Sequence, residues 1–388
     1  MANQMERSLT QRSPIYTNED EALHEQITRF CEREIEPNGE AWEEEGTFPR
    51  ELFRKAGDAG LLGIGFPEEY GGSGGDIVHY CLLREEMSRT GFTGVRVGLM
   101  VHGIGLPPVI KHGSEEMKLK VGPEVLSGNK IICLAISEPN AGSDVANIVT
   151  KARREGDEYI VSGEKAFISN GVRADYYTTA VRTGGPGRDG ISVLLIPRET
   201  PGLTQTPMKK MGWWASDTAI VNFDNCRVSA SNLIGREDAG FKVIMENFNL
   251  ERLGIGASVL GITRCTYEET KRYATERRAF GQLLRDHQVV RHKLVDMSVR
   301  IQAMEAMLDA ALWKVRQGDT AVADIAQLKV FCGTEHEACA ADAVQIFGGA
   351  GIIRGHKIER IFRESKILSI GGGSTEVMKD LAARQLGI

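Results

Sequence analysis

The stretch Leu134-Ala-Ile-Ser-Glu-Pro-Asn-Ala-Gly-Ser-Asp144 leaves the apolar run Lys130-Ile-Ile-Cys-Leu-Ala-Ile136 as a polar loop of small residues. Small side chains let a backbone approach a ligand closely, and Ser137, Ser143 and the free N–H groups of such a loop suit a flavin or a phosphate. The loop also marks a change of pattern along the chain.

Upstream of it the periodicity is helical. Glu21–Glu36 carries Leu23, Ile27, Phe30, Cys31 and Ile35 at helical spacing behind the acidic turn Asn18-Glu-Asp-Glu21, and Pro37 is a natural stop. Pro49-Arg-Glu-Leu-Phe-Arg-Lys-Ala56 opens another helix, Gly71-Gly-Ser-Gly-Gly75 reads as a loop, and His79–Ser88 is helical again. Downstream, Val149-Thr-Lys-Ala-Arg153 and Tyr159-Ile-Val-Ser162 flank Gly156-Asp157 as a hairpin, with further strands expected at Tyr176–Arg182, Ile191–Pro197 and Thr218–Val228. From Gly240 long helical runs return, at Phe241–Arg277, His287–Gln317 and Thr320–Phe347. Helices, then strands, then helices exclude the alternation of a doubly wound fold. The expectation is an α+β chain of three domains: N-terminal α-helical (1–129), middle β (130–239) and C-terminal helical (240–388).

Composition narrows the function class. The chain has 388 residues, 41% hydrophobic and 26% charged, as in an ordinary soluble globular protein. A net charge of −6 with no basic stripe argues against nucleic acid. Seven scattered cysteines without a CxxC point to a reducing compartment. No apolar stretch has the length of a membrane span, and Met1–Asp20 lacks the apolar core of a signal peptide. A cytoplasmic enzyme is the expectation, or one of the mitochondrial matrix if the source is eukaryotic.

Two further segments, Gly163-Glu-Lys-Ala-Phe-Ile-Ser-Asn-Gly171 and Gln345-Ile-Phe-Gly-Gly-Ala-Gly351, follow the first in order. Together, and at these separations, the three resemble the motifs of the acyl-CoA dehydrogenase family, and the resemblance runs from about Asn18 to Leu386. It implies an N-terminal helical domain, a middle β-barrel-like domain and a C-terminal four-helix bundle, with FAD as cofactor. Leu134, Ile136, Ser137, Gly142 and Ser143 would wrap the isoalloxazine and pyrophosphate. Phe167-Ile-Ser169 matches the family's Trp-Ile-Thr, so Phe167 would cover the ring face, beside Ile168, and Ser169 would hydrogen-bond the ring edge. Phenylalanine there keeps the aromatic face and loses the indole N–H donor. Glu276-Arg-Arg-Ala-Phe-Gly281 resembles the family's Glu-Arg-x-x-Phe-Gly segment, which assigns Arg277 to a phosphate and Phe280 to the adenosine. The resemblance implies that these two and Gln288, with Gln345 and Gly349, come from a neighbouring subunit, and Gly348, Ser374 and Glu376 complete the cofactor set. A lone arginine such as Arg277 is more often an exposed helix charge; the Phe-Gly and Gln-x-x-Gly-Gly around it favour the phosphate.

The sharpest inference concerns Glu251. Phe241, Ile244, Met245 and Phe248 fit the stripe of a core-facing helix, which continues through 251 and 252 to Ile255 and Val259. A carboxylate on that face is expected to have a raised pKa through desolvation, opposed by any nearby arginine. Periodicity alone favours a buried Glu that pairs with an arginine. The resemblance points elsewhere. Many acyl-CoA dehydrogenases carry their base in a Tyr-Glu-Gly-Thr segment, here Gly371-Gly-Gly-Ser374, so Gly372 stands in the glutamate's place. Members similar to the isovaleryl-CoA and long-chain enzymes carry it in a Leu-Glu-Arg segment, here Leu250-Glu-Arg252. Glu251 is thus the expected catalytic base. Ser143, Asn249, Leu250, Arg252, Gly372 and Gly373 would meet the substrate, with the N–H at 372 polarising the thioester carbonyl.

Other signals carry less. Gly254-Ile-Gly256 lies in a helical pattern, where small residues permit close helix packing. Cys332, His336 and Cys339 share a helix face without a fourth ligand, so no metal is expected. The Trp213-Trp214 pair reads as packing before Ser216-Asp-Thr218, and Glu43-Glu-Glu45 as a solvated helix end. The resemblance implies removal of the α-proton by Glu251 while the β-hydrogen leaves as hydride to flavin N5, giving a trans-2-enoyl-CoA. Electrons would pass to an electron-transfer flavoprotein or an equivalent acceptor, and the protein would be a homo-oligomer, a tetramer by family habit. The alternatives are an acyl-carrier-protein dehydrogenase or acyl-CoA oxidase of the same fold, and a non-catalytic flavin-binding relative. No nucleic-acid partner and no membrane insertion are expected.

Overall fold

The computed structural model describes residues 8–388, without the side chains of Thr10 and Gln11; the part of the signal-peptide reading that falls on Met1–Arg7 lies outside the described residues. The principal helices are α1 (Asn18–Phe30), α2 (Ile77–Arg89), α3 (Glu115–Leu126), α4 (Gly240–Glu276), α5 (Gln288–Arg316), α6 (Val322–Phe347), α7 (Lys357–Ile370) and α8 (Thr375–Leu386). The strands of the main sheet are β1 (Ile132–Ala135), β2 (Lys151–Glu155), β3 (Glu158–Ser169), β4 (Tyr176–Arg182), β5 (Ile191–Pro197), β6 (Leu203–Pro207), β7 (Thr218–Ser229) and β8 (Leu233–Ile234). The chain folds as two compact units. Among the described residues a helical unit gathers 8–40, 76–93 and 252–388; a sheet unit gathers 41–75 and 94–251. The division falls between Glu251 and Arg252, within the continuous helix α4.

The sheet is mixed, in the order β6-β7-β3-β2-β4-β5-β8. The Gly156-Asp157 turn joins β2 to β3 as the sequence predicts, with Glu155 opposite Glu158. β1 and β2 both run parallel to β4, β1 along Tyr176–Thr179 and β2 at Arg182. The loop that follows Ala135 therefore departs from β4 and returns to it further along. Ile132, Ala180, Val193 and Leu195 from the strands form one core with Val109, Val121 and Val125. Ile244 is buried in that core and Phe241, Met245 and Phe248 pack on it, as the helical stripe predicts. One expectation fails here. Glu44 and Glu45 are exposed, but Glu43 is buried, and its carboxylate accepts the N–H groups of Trp214 (3.1 Å) and Ala215 (3.4 Å). Those two donors lie in a turn where Trp213 has φ +55°, so the acid satisfies backbone that no strand pairs.

In the helical unit, α1 starts on a capping box of Thr17 and Asp20 and runs into a π-helical turn, Cys31–Ile35, before Pro37. The Gly254 and Gly256 positions are close-packed: a Cβ would stand 2.8 Å from Tyr80 and 2.8 Å from Leu328, respectively. No single helix among the described residues is long and apolar enough to cross a membrane.

A buried charge cluster ties this unit together. Glu85 accepts from Arg12 (2.7 Å) and Arg264 (3.0 Å), and both arginines also meet Glu305. Asp309 stands at its edge. Burial, together with the Glu305 and Glu85 charges, pushes its carboxyl up to about 6 against the pull of Ser13 and Arg12. Because the folded state holds this proton more tightly than the unfolded chain, the associated stability is full below about pH 4 and is lost as pH rises through about 6. Asp309→Asn is expected to raise stability at pH 7.5 by up to about 3 kcal/mol. Urea unfolding at pH 7.5 and at pH 4 checks this: the gain should be absent at the lower pH.

Candidate functional site

In the sheet unit, the two segments read as flavin-facing are joined by a buried ion pair. Lys165 and Glu138 are both fully buried, with Nζ 2.7 Å from Oε1. The same ammonium donates to the Ile136 carbonyl at 2.9 Å, and the Glu138 carboxylate accepts the N–H groups of Val149 (2.6 Å) and Thr150 (3.0 Å). The N–H of Ala166 donates to the Ser137 carbonyl at 2.8 Å. These bonds shape the whole loop from the end of β1 to the start of β2. Burial pulls the lysine down to about 8 against the attraction of Glu138. Burial opposes ionisation of Glu138 too, yet the lysine and the N–H donors hold its carboxyl below the ordinary value. Leu134 and Ser137 are half-buried, Ile136 is buried, and Gly142 and Ser143 are exposed.

Two residues after Lys165 the pairing of β3 with β7 slips, and Phe167 is thrown out of the sheet. Its φ is +62° and its side chain is 63% exposed. A left-handed aromatic residue costs about 1–3 kcal/mol and persists where the surroundings impose it. They do so here: Ile168 is buried, and Asn170, itself at φ +56°, donates to the Gly98 carbonyl at 2.7 Å. A rigid frame thus presents a bare aromatic face, and Ser169 beside it is half-buried.

In the helical unit, α4 is covered at every position from Arg252 to Thr266 except Ile255. Against Ile255 lies the glycine loop between α7 and α8. Gly372 has φ +69° and Gly373 φ +105°, and a Cβ at 372 would stand 2.3 Å from Ile255 Cδ1. Two buried cations hold the loop by its carbonyls. Arg252 Nε donates to Gly372 O at 3.1 Å, while Lys329 Nζ donates to Ser369 O at 3.2 Å and also to Gly373 O. In a trans peptide the N–H points opposite to the C=O, so the N–H groups of Gly373 and Ser374 face away from the cations. Ser374 caps α8, its hydroxyl accepting from Val377 N at 3.4 Å, and Glu376 is exposed in the first turn. Asn249, Leu250 and Glu251 precede Arg252 on α4 and are all half-buried. Glu251 shares a helix face with Ile255, four residues on.

A further group is exposed. Arg277 follows the last residue of α4, and Phe280, at φ +52° and 98% exposed, tips the hairpin of β9 (Arg278–Ala279) and β10 (Gln282–Leu283). Gln288 opens α5, Gln345 lies in the last turn of α6, and Gly348 and Gly349 follow it; all are exposed. Tyr273 stacks on Phe347 at 4.1 Å and so ties the two stretches together.

Sequence reasoning missed Glu138, Lys165 and Lys329. The signals were present: Lys165 alternates with Tyr159 and Val161 on a buried strand face, and Lys329 falls on the α6 stripe of Ile325, Cys332 and His336. His336 is buried, hydrogen-bonds Thr263 at 2.9 Å, and is held down to about 4 by burial, so it stays neutral.

Three family models match in succession: the acyl-CoA dehydrogenase N-terminal domain over 17–129, the middle domain over 133–226 and the C-terminal domain over 238–387. A probable acyl-CoA dehydrogenase of Bacillus subtilis, YngJ, is 37% identical over 377 residues, covering 95% of this chain and 98% of that protein. The mitochondrial long-chain specific acyl-CoA dehydrogenase of Sus scrofa is 33% identical over 379 residues, covering 96% and 87%. A crystal structure of a probable acyl-CoA dehydrogenase from Mycobacterium abscessus superposes with a TM-score of 0.94 at 42% identity, covering 96% of this chain and 100% of that one. With its helical, sheet and helical domains in that order, the chain belongs to the acyl-CoA dehydrogenase family of flavoprotein oxidoreductases.

Proposed function

We propose that the protein is an FAD-dependent acyl-CoA dehydrogenase in which Glu251 removes the α-proton of an acyl-CoA thioester, giving a trans-2-enoyl-CoA. One observation carries the assignment of the base. Position 372, where other family members place a glutamate, has a left-handed backbone and lies against Ile255, whereas Glu251 lies half-buried on α4, on the side that carries Ile255, the one position from Arg252 to Thr266 that is not buried. Partial burial suits a base that must take a weakly acidic proton near neutral pH. Arg252 and Lys329 fix the glycine loop so that its N–H groups are free to receive the thioester oxygen as it gains charge. Ser143, Asn249 and Leu250 complete the substrate contacts in this reading.

The residues present fit FAD. An imposed bare aromatic face at Phe167, a loop with open space around Gly142, and exposed Arg277 and Phe280 suit a ring system, a pyrophosphate and an adenosine. Leu134, Ile136, Ser137, Ser143, Ile168 and Ser169 would hold the ring end; Gln288, Gln345, Gly348, Gly349, Ser374 and Glu376 join Arg277 and Phe280 at the nucleotide end. When bound, FAD supplies the acceptor for the hydrogen and electron pair that leave the β-carbon. An electron-transfer flavoprotein or equivalent would take the electrons onward. The bare Phe280, with Val289, Val295 and Val299 more than half exposed along α5, supports a homo-oligomer, a tetramer in this reading. Domain limits at 129/130 and 239/240 belong to the same proposal.

Anaerobic titration with acyl-CoAs tests the reading. The wild-type flavin is expected to bleach, and Glu251→Gln to keep its flavin while losing reduction by at least about a thousandfold, as for loss of a base at the reacting atom. Near-wild-type reduction by that variant would overturn the assignment. Placing the base at the other site is expected not to help. In a Glu251→Gln background, Gly372→Glu should restore no reduction and should lower stability by about 1–3 kcal/mol through its positive φ. Recovery of turnover by the double variant would show that position 372 is open after all.

A further inference from the structure

A buried ion pair is weak evidence for stability, since apolar side chains of similar volume often serve as well. The Lys165–Glu138 pair does something that apolar residues could not. Besides meeting Glu138 at 2.7 Å, the ammonium donates to Ile136 O at 2.9 Å, and so fixes and polarises the peptide that joins Ile136 to Ser137. In a trans peptide the N–H points opposite to the C=O. With the Ile136 carbonyl turned in to the buried ammonium, the Ser137 N–H is turned away from it. Among the described residues neither that N–H nor the Ser137 hydroxyl has a partner, although the residue is half-buried. Backbone donors away from water are nearly always paired, so this one is expected to have its acceptor supplied by a ligand.

Its place says which part of the ligand that is. The Ser137 carbonyl accepts the Ala166 N–H at 2.8 Å, so Ser137 stands one hydrogen bond from the residue before Phe167 and its bare face. Gly142 and Ser143, which are more exposed, come later in the loop. Of a flavin ring system at Phe167, the pyrimidine half carries hydrogen-bond acceptors and the dimethylbenzene half carries none. A lone N–H donor fits the pyrimidine edge.

We propose that Lys165 is a positioning residue that sets the electron affinity of the flavin: through the Ile136–Ser137 peptide it directs a polarised N–H at the pyrimidine edge of the isoalloxazine. The proposal rests on the FAD reading of the site. Two electrons and one proton convert oxidised flavin to its anionic reduced form, whose added charge spreads over that edge. A donor already aimed there holds the reduced flavin more tightly than the oxidised one. The ammonium and the Glu138 carboxylate together carry no net charge, so the effect belongs to the aimed donor and not to an unpaired cation nearby.

The test measures FAD affinity and the two-electron midpoint potential at pH 7 in the double variant Lys165→Met/Glu138→Gln. Glutamine can still accept the N–H groups of Val149 and Thr150, so the loop keeps that tie while the Ile136 carbonyl loses its donor. Changing both partners together leaves no charge buried alone. Oxidised FAD is expected to bind about tenfold more weakly and reduced FAD about 100-fold more weakly. The tenfold difference between them lowers the midpoint potential by about 30 mV. Ser137→Pro deletes the N–H with the ion pair in place and is expected to lower the potential likewise; it decides the matter if the double variant does not fold. A folded, flavin-loaded variant with the wild-type potential overturns the proposal. An equal loss of affinity in both redox states would mark a contact to the pyrophosphate, and a loss of apoprotein stability alone would mark a purely structural tie. Failure of both variants to fold overturns it too, since the pair and its peptide would then be parts of the fold alone. Failure of the underlying reading looks different: the wild type would bind no FAD.

Discussion

Between Arg252 and Thr266 helix α4 can offer a working side chain at almost no place, and this restriction organises the helical unit around it. From Arg252 to Thr266 it is covered on all sides, and only Ile255 keeps partial exposure. Glycines at 254, 256 and 261 admit neighbours so close that a Cβ would stand 2.8 Å from Tyr80, 2.8 Å from Leu328 and 2.0 Å from the Glu85 carbonyl. Interiors packed in this way tolerate little change in volume. A carboxylate placed further along would be buried without water and would have to be neutralised or paired. At 251 the helix is just emerging from that cover, so the acid can be partly desolvated and still reachable.

Buried cations divide the remaining work, and each acts on backbone. Lys165 holds the carbonyl of Ile136 and pairs with Glu138, whose oxygens take the first N–H groups after the loop. Arg252 and Lys329 hold three carbonyls of the stretch from Ser369 to Gly373. In both cases a loop without regular pairing is given fixed peptide planes by charges that the fold has already desolvated. Removing one partner would leave the other buried and unpaired, at a cost of about 3–5 kcal/mol. Loops held in this way keep N–H groups oriented at small entropic cost when a ligand arrives.

Much of this architecture was legible in the sequence. The hairpin at Gly156-Asp157, the strands at 176–182 and 191–197, and the Phe241–Phe248 stripe follow from period and turn chemistry alone. β6 and β8 escaped notice because Leu203–Pro207 is mostly polar and exposed and Leu233–Ile234 is too short to show a period. The π turn at Cys31–Ile35 adds a residue to a helix without disturbing its apolar spacing enough to be seen. Glu43 misled for a different reason: a run of three acids looks solvated, and only the positive φ at Trp213 creates backbone donors that need one of them. Motif reading gave Phe167 as an aromatic and said nothing of its strained backbone, since a bulge depends on how β7 pairs, far along the chain.

If Glu251 is the base, as proposed, the geometry at 372 makes the base position a choice between alternatives and not an accumulation of acids. Ile255 fills the space beside Gly372, and Ile255 belongs to the same face of α4 as Glu251. A glutamate at 372 would need that space and a backbone out of the left-handed region, yet the left-handed turn is what lets Gly372 and Gly373 turn their carbonyls to Arg252 and Lys329. Moving the acid to the loop would therefore disturb the carbonyl clamp and the helix face together. In the proposed reading the acid stands on the helix and the loop would be left with one task, to present N–H groups, which glycine performs with least obstruction.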